Sequence, residues 1–550
     1  MLIDSSRSKP QRVFDFLHAH ILTIIVGIVI ISSLLSLVAI MTDKEEKKIE
    51  GENSNVVYED INTLYFSMNN IKSLNPLTSK DEDTYYISQI VYGSLFTLDD
   101  NLNIKNDLVS KYSADAREAT VSITLRNAKF SNGESLTADD VDYTIDKIKD
   151  LGSKSPYYSY VKKIDSVDVT GSKTLKIHFK KKYDAALDNL VFPIVSSSSY
   201  ESDGSMVPGT GPYRYVKYNK QRDLTLKPNQ YYFGEKAQGK IVFKFIKKQD
   251  AVPGLITADM VTAYVNKNSD ADAVAEDKNL TYTPIVSSDA EYLGFNFKNK
   301  LLADKKMRQA IAYAIDTEKL IEDNYGGTAV TSDSIYYPGF MGVNSVETRF
   351  SIDQRASATL LEELDLKDTS GDGWLLDKKG KIISLTLLVN KNDDSRLDAA
   401  TTIAEGLAKV GLKVKVRSLP WKEYLSALNR NDYDLYLGGY EFDKQYNLKS
   451  LFDKKAVRGY NGNDVQAYLD RMETCQSAEK QAETFRDLER LLADEVPYYC
   501  ICYKTYGFTT VNHFESEVLP TFFNIYRGCE GWKWQKAVKN SDAEETGSNS

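Results

Sequence analysis

A run of 21 uncharged residues, 21–41, constrains this chain more than any other feature. Its length is close to the roughly 20 apolar residues that span a bilayer, so it reads as a transmembrane helix or signal anchor. Residues 1–20 are then a short cytoplasmic N-terminus, and the C-terminal body is extracytoplasmic, at the cell surface or in the periplasm. Lys and Arg do not set the orientation, because Arg7, Lys9 and Arg12 precede the run and Lys44, Lys47 and Lys48 follow it. The direction rests on the soluble character of everything downstream, which an N-terminal start segment exports. A cleaved signal peptide has an apolar region of about 7 to 15 residues and a small-x-small cleavage site. Leu37-Val38-Ala39-Ile40-Met41 offers a poor one, which favours an uncleaved anchor. No Cys precedes Cys475, so a lipidated Cys after the signal is not available. Residues 42–56, rich in Glu, Lys, Asn and Ser, read as a tether with an rms span of roughly 20 Å. Residues 536–550 read as a disordered tail.

Between these ends the composition is that of a globular protein. The 550 residues are 42% apolar and 27% charged, with 36 Tyr against 13 Pro, which excludes a disordered, collagen-like or polytopic membrane protein. The net charge is -9 and basic residues cluster only in short runs such as Lys180 to Lys182, so nucleic acid is not an expected partner. Four His, and no visible nucleophile–base pair or metal cluster, argue against an enzyme, and no cofactor is expected.

Strand and helix patterns alternate along the body. Period-2 alternation predicts strands at 121–125, 175–179, 241–246 and 413–416. Helices are predicted from Thr137, which can cap, through Ile145, and over 304–315 and 400–410, with Gly411 a C-cap leading into the next strand. The fold class is α/β, mixed α+β. Arg308 and Asp316 fall on one predicted helix, where an ion-paired or solvated surface is the default. Asn132-Gly133 and Gly209-Thr210-Gly211-Pro212 read as turns, the latter lacking the Lys-Ser/Thr of a phosphate loop.

Several segments, in order, resemble one family. Asn75-Pro76 with Ile90-Val91-Tyr92-Gly93-Ser94-Leu95-Phe96 is followed by Asn127-Ala128-Lys129-Phe130-Ser131-Asn132-Gly133-Glu134-Ser135-Leu136-Thr137-Ala138-Asp139-Asp140-Val141. Then come Ser155-Pro156-Tyr157-Tyr158-Ser159-Tyr160, Pro208 to Tyr213, Gly294-Phe295-Asn296 and Met307 to Asp316. Trp421-Lys422-Glu423-Tyr424-Leu425 and Asp432-Tyr433-Asp434-Leu435 close the series. This is similar to the extracytoplasmic solute-binding proteins of ABC importers, the peptide, dipeptide and nickel family (family 5), and nearest in pattern to oligopeptide-binding members.

The resemblance implies a two-lobed periplasmic-binding-protein-like fold with an extra subdomain. Lobe I would take 57–75, 200–288 and 505–535, the extra subdomain 76–199 and lobe II 289–504. Its function would be capture of an oligopeptide-like solute by lobe closure and delivery to an ABC permease and its ATPase subunits, with the receptor a monomer. A membrane-anchored sensor of a signalling peptide or other solute on the same fold is the alternative. In relatives a Gly-aromatic-x-x-Asp segment sets a carboxylate against the peptide's amine. Here the matching run is Gly439-Tyr440-Glu441-Phe442-Asp443, which makes Asp443 the candidate anchor and Gly439, Tyr440 and Glu441 backbone partners. The following Lys444-Gln445-Tyr446-Asn447 departs from the family pattern. Tyr157, Tyr292 and Trp421 match aromatics that line the cleft in relatives.

Two other features belong to the residues alone. Asp368-Thr369-Ser370-Gly371-Asp372-Gly373 has the start of a calcium loop, but position twelve is Lys379, so it reads as an Asp/Gly turn and no metal is expected. Cys475, Cys500, Cys502 and Cys529 cluster near the C-terminal end, and outside the cytoplasm an even set points to disulfides, with Cys529 to Cys500 or Cys502 as one pairing.

Overall fold

The computed structural model describes residues 56–539 apart from 116, 182–186, 202–205, 249–250, 259, 267–279, 333, 344–349, 443–447, 453–459, 461 and 474–477. The predicted membrane run, 21–41, lies outside the described residues, among which no helix is long and apolar enough to cross a membrane. The chain divides into a terminal unit, Met1–Ile61 with Gln535–Ser550, and a body, Asn62–Trp534. Strand β1 (Val56–Ile61) of the terminal unit pairs with the last described strand, Trp534–Lys539, which apart from Trp534 belongs to the same unit. The tail expected over 536–550 is therefore corrected at its start: backbone pairing with β1 makes its first residues a strand despite a sequence without apolar period.

The body's strands are, in chain order, β2 (Thr63–Met68), β3 (Phe96–Leu98), β4 (Ile104–Asn106), β5 (Val109–Asp115), β6 (Thr120–Leu125), β7 (Ile164–Gly171), β8 (Thr174–Phe179), β9 (Tyr213–Asn219) and β10 (Asp223–Pro228). They continue with β11 (Lys240–Phe245), β12 (Ala263–Asn266), β13 (Leu280–Phe295), β14 (Ser384–Asn390), β15 (Lys413–Leu419), β16 (Leu435–Glu441) and β17 (Tyr498–Val511). Ten of them form one mixed sheet in the order β15-β14-β16-β13-β17-β12-β2-β11-β10-β9, and β5-β6-β8-β7 form a separate four-stranded sheet. Alternation produced the expected strands: in β8, Leu175, Ile177 and Phe179 are buried while the residues between are half-exposed.

Local chemistry also starts the helices as read. Thr137 precedes the helix Ala138–Leu151, and its backbone N–H donates to the Asp140 carboxylate at 2.8 Å, half of a capping box. The Asp304 side chain accepts from the Lys306 N–H at 2.9 Å and opens the helix Lys305–Tyr313. The helix expected over 400–410 begins earlier, at Asp394, because Asp393 caps it. Gly411, at φ 81°, ends the turn after that helix and feeds β15.

Arg308 is ion-paired as expected, its Nη2 3.4 Å from the Glu495 carboxylate, but its setting is corrected. It is 1% exposed, not at the surface, and donates to the carbonyls of Leu302 and Ala303 at 2.9 Å and of Val496 at 3.1 Å. It thus satisfies the ends of two helices from within, while Asp316 instead caps the next helix, Thr317–Asn324. Asp368 accepts from the backbone N–H groups of Gly371 at 2.7 Å and Gly373 at 2.8 Å, which closes the predicted Asp/Gly turn.

What positions the site is the pair β13 and β17. The first half of β13 pairs with Thr505–Val511 beside β12, and its second half lies between Tyr498–Tyr503 and β16. The register shifts between Val286 and Ala290, so a bulge sits where the two halves of the sheet meet.

Candidate functional site

At that bulge lies a cavity of about 520 Å³. Ser288 of the bulge and Tyr506 of β17 form one side, with Glu441 and Phe442 from the end of β16. The helix Glu82–Val91 presents Glu82, Tyr85 and Tyr86, the turn near 157 presents Tyr157 and Tyr160, and Phe522 and Phe523 close the remaining wall. The aromatic walls are fixed by backbone acceptors. Tyr85 Oη donates to the Phe523 carbonyl at 2.8 Å and Tyr86 Oη to the Phe522 carbonyl at 2.9 Å. Burial pushes the hydroxyls of Tyr85, Tyr86 and Tyr157 well up, so they remain neutral donors at any physiological pH. The Phe442 N–H donates to the Ser288 carbonyl at 3.0 Å, which ties the β16 end to the bulge.

Of the expected binding residues, the fold brings Tyr157 and Glu441 to this cavity. Asp443 lies outside the described residues, two positions beyond Glu441. The other four expected residues lie outside this cavity's lining. Gly439 is occupied elsewhere: a Cβ there would lie 2.0 Å from Arg396 Nη2, so glycine is what lets that guanidinium approach the strand. Arg396 donates through Nε and Nη2 to the two oxygens of Glu291, at 2.7 and 2.8 Å, and Lys504 Nζ lies 2.7 Å from the same carboxylate. Tyr440 packs its ring against Phe442, with centroids 4.8 Å apart, and does not line the cavity. Tyr292 is buried in the core between Tyr436 and Tyr498, at 5.9 and 5.0 Å. Trp421 is 52% exposed and stacks on Tyr424, away from the cavity lining.

The Cys529 bridge to the β17 cysteines does not form. Cys502 and Cys529 are buried free thiols, and burial pushes both well up. The Cys529 carbonyl accepts from the hydroxyl of Tyr213 of β9 at 3.2 Å. Cys500 lies on β17 with Cys502, and Cys475 lies outside the described residues.

Sequence reasoning did not single out Tyr85, Tyr86, Tyr506, Phe522 or Phe523. The adjacent tyrosines three and four positions after Glu82, in the first turns of one helix, were the available signal; the others are joined to them only by the fold.

A long two-strand crossover with a bulge and an aromatic cavity beside it is a binding architecture, and known proteins share both sequence and fold. The sequence model of the bacterial extracellular solute-binding proteins, family 5, matches residues 103–455. The chain belongs to this family. It is similar to the oligopeptide-binding protein AppA of Bacillus subtilis, at 26% identity over 461 residues that cover 78% of this chain and 83% of AppA. Its fold is similar to the unliganded open form of the murein tripeptide-binding protein MppA, with a TM-score of 0.75 at 18% identity, covering 88% of this chain and 99% of MppA. A nickel ABC transporter structure from Bacillus halodurans gives the same TM-score, 0.75, at 17% identity over 86% of this chain and 100% of the other. This receptor is therefore an extracytoplasmic substrate-binding protein of the ABC-transporter type, and it is not an enzyme.

Proposed function

We propose that this receptor captures a peptide-like solute in the cavity at the β13–β17 bulge and delivers it to an ABC permease. The observation that carries the reading is who lines the cavity: Tyr85 and Tyr157 from 76–199, Phe522 and Phe523 from 505–535, and Glu441 and Phe442 from 289–504. A ligand there touches all three proposed segments, so binding favours their approach. The proposed lobe boundaries, 288/289 and 504/505, fall at the register shift, where few ladder bonds resist bending. Resemblance to AppA supports a peptide over a metal complex as ligand. Asp443, just past the cavity's Phe442, is the proposed anchor for the ligand's amine, and 21–41 the proposed membrane anchor. That uncharged run favours, as a second reading, a sensor of a signalling peptide.

Native mass spectrometry of the protein extracted from its membrane, followed by denaturation, tests both points. Released peptides of a narrow length range are expected, and an intact mass that includes residues 1–41. A bound non-peptide solute overturns the peptide reading, and a chain starting near Thr42 overturns the anchor. Asp443→Ala should weaken a free-amine peptide by about ten-fold and leave its N-acetylated form unchanged, since charged hydrogen bonds are worth roughly 1.5 to 3 kcal/mol.

A further inference from the structure

We infer that the cavity selects a short peptide carrying a positively charged side chain, and that Glu441 is the residue that reads the charge. The inference rests on the peptide-receptor reading and deepens it. Among the described lining residues the acidic ones are Asp81, Glu82 and Glu441, against a single cation, Lys80. Lys80 is turned to the protein, its ammonium donating to the Ser153 carbonyl at 3.2 Å. Asp81 is likewise engaged, accepting from the Lys72 N–H at 2.8 Å. Glu441 differs: among the described residues no cation pairs with its carboxylate, although its backbone is held in the ladder opposite Asp289.

The charge is concentrated at one place. Tyr506 lines the cavity with Glu82 and Glu441, and its hydroxyl reaches 3.5 Å to the carboxylate of Asp289, the ladder partner of Glu441. The remaining wall is aromatic, with the tyrosine hydroxyls of Tyr85 and Tyr86 committed to backbone carbonyls and their rings left as surface. Ring faces carry the negative part of the aromatic quadrupole, so carboxylates and rings favour the same ligand charge. An anionic side chain would meet carboxylates with no guanidinium in the described lining to receive it. Size sets the length: at about 30 Å³ per water-sized group, about 520 Å³ holds roughly 17 such groups, the scale of two or three residues.

The test measures affinities of the full-length protein for three tripeptides with identical termini, Ala-Lys-Ala, Ala-Ala-Ala and Ala-Glu-Ala, by calorimetry. Ala-Lys-Ala is expected to bind at least about ten-fold more tightly than Ala-Glu-Ala, the scale of one charge-assisted hydrogen bond. Glu441→Gln should remove most of that ratio, while Glu441→Asp, which keeps the charge, should retain it. Circular dichroism of each variant checks that it is folded. Three tripeptides bound alike, or a ratio unchanged in Glu441→Gln, overturns the charge reading alone. Binding of none of the three overturns the peptide reading, and this inference with it.

Discussion

Two glutamates two steps apart on neighbouring strands have opposite surroundings. Glu291 of β13 faces Gly439, and Glu441 of β16 faces Asp289 two pairs along the same ladder. Glu291 has 2% of its side chain exposed and holds a bidentate Arg396 and a Lys504. Glu441 is exposed and lines the cavity, and among the described residues no cation pairs with it. A buried charge must be neutralised for the protein to fold, whereas an exposed one can wait for a ligand. The same residue type in the same ladder thus serves structure at one position and is free to serve binding at the next.

Breaking the first half of this contrast has the largest expected effect. Arg396→Met leaves Glu291 buried with Lys504 alone, and urea denaturation should show a loss of about 3 kcal/mol. Replacing both partners, Glu291→Leu with Arg396→Met, should recover most of that loss, because the Lys504 left behind is 36% exposed and can be solvated. Gly439→Ala should cost about 2 to 3 kcal/mol, since the new methyl must displace the Arg396 guanidinium. Its ligand affinity should fall no further than its stability explains.

Asp107 sharpens the comparison from a third direction. It is half-buried and accepts from the Ser94 N–H at 2.8 Å, but desolvation of its carboxylate outweighs that bond and the Arg126 charge, and its carboxyl is pushed up to about 6. The folded protein then holds this proton more tightly than the unfolded chain does. The resulting stability is full below about pH 4 and is lost as pH rises through about 6, by on the order of 2 kcal/mol. Asp107→Asn should flatten stability across that window, as followed by thermal unfolding between pH 4 and 7. The smallest effect belongs to Glu441→Gln, which should change stability by less than about 0.5 kcal/mol while altering ligand choice.

How much of this was legible depends on sequence separation. Thr137 and Asp140, three residues apart, announced their helix, and Gly411 announced the step from helix to strand, because both act on their own backbone. Tyr157 and Glu441 were named as site residues through the resemblance, and both line the cavity. Tyr292 and Trp421 had the same standing and lie elsewhere, since an aromatic side chain is equally at home in a core or on a surface. The role of Gly439 was not readable at all, because the guanidinium it accommodates comes from 43 positions earlier in the chain.

The sequence by itself determined the α/β class, the caps and turns, and the family, because these rest on period, local hydrogen bonds and ordered short motifs. Only the tertiary structure decided which carboxylate is neutralised and which faces the cavity. Arg396 lies 105 residues from Glu291, and Lys504 lies on another strand, so their meeting depends on the register of β13 between β16 and β17. Electrostatic partnership is a matter of distances of a few ångströms and of exclusion of water, and neither is set until the sheet has closed.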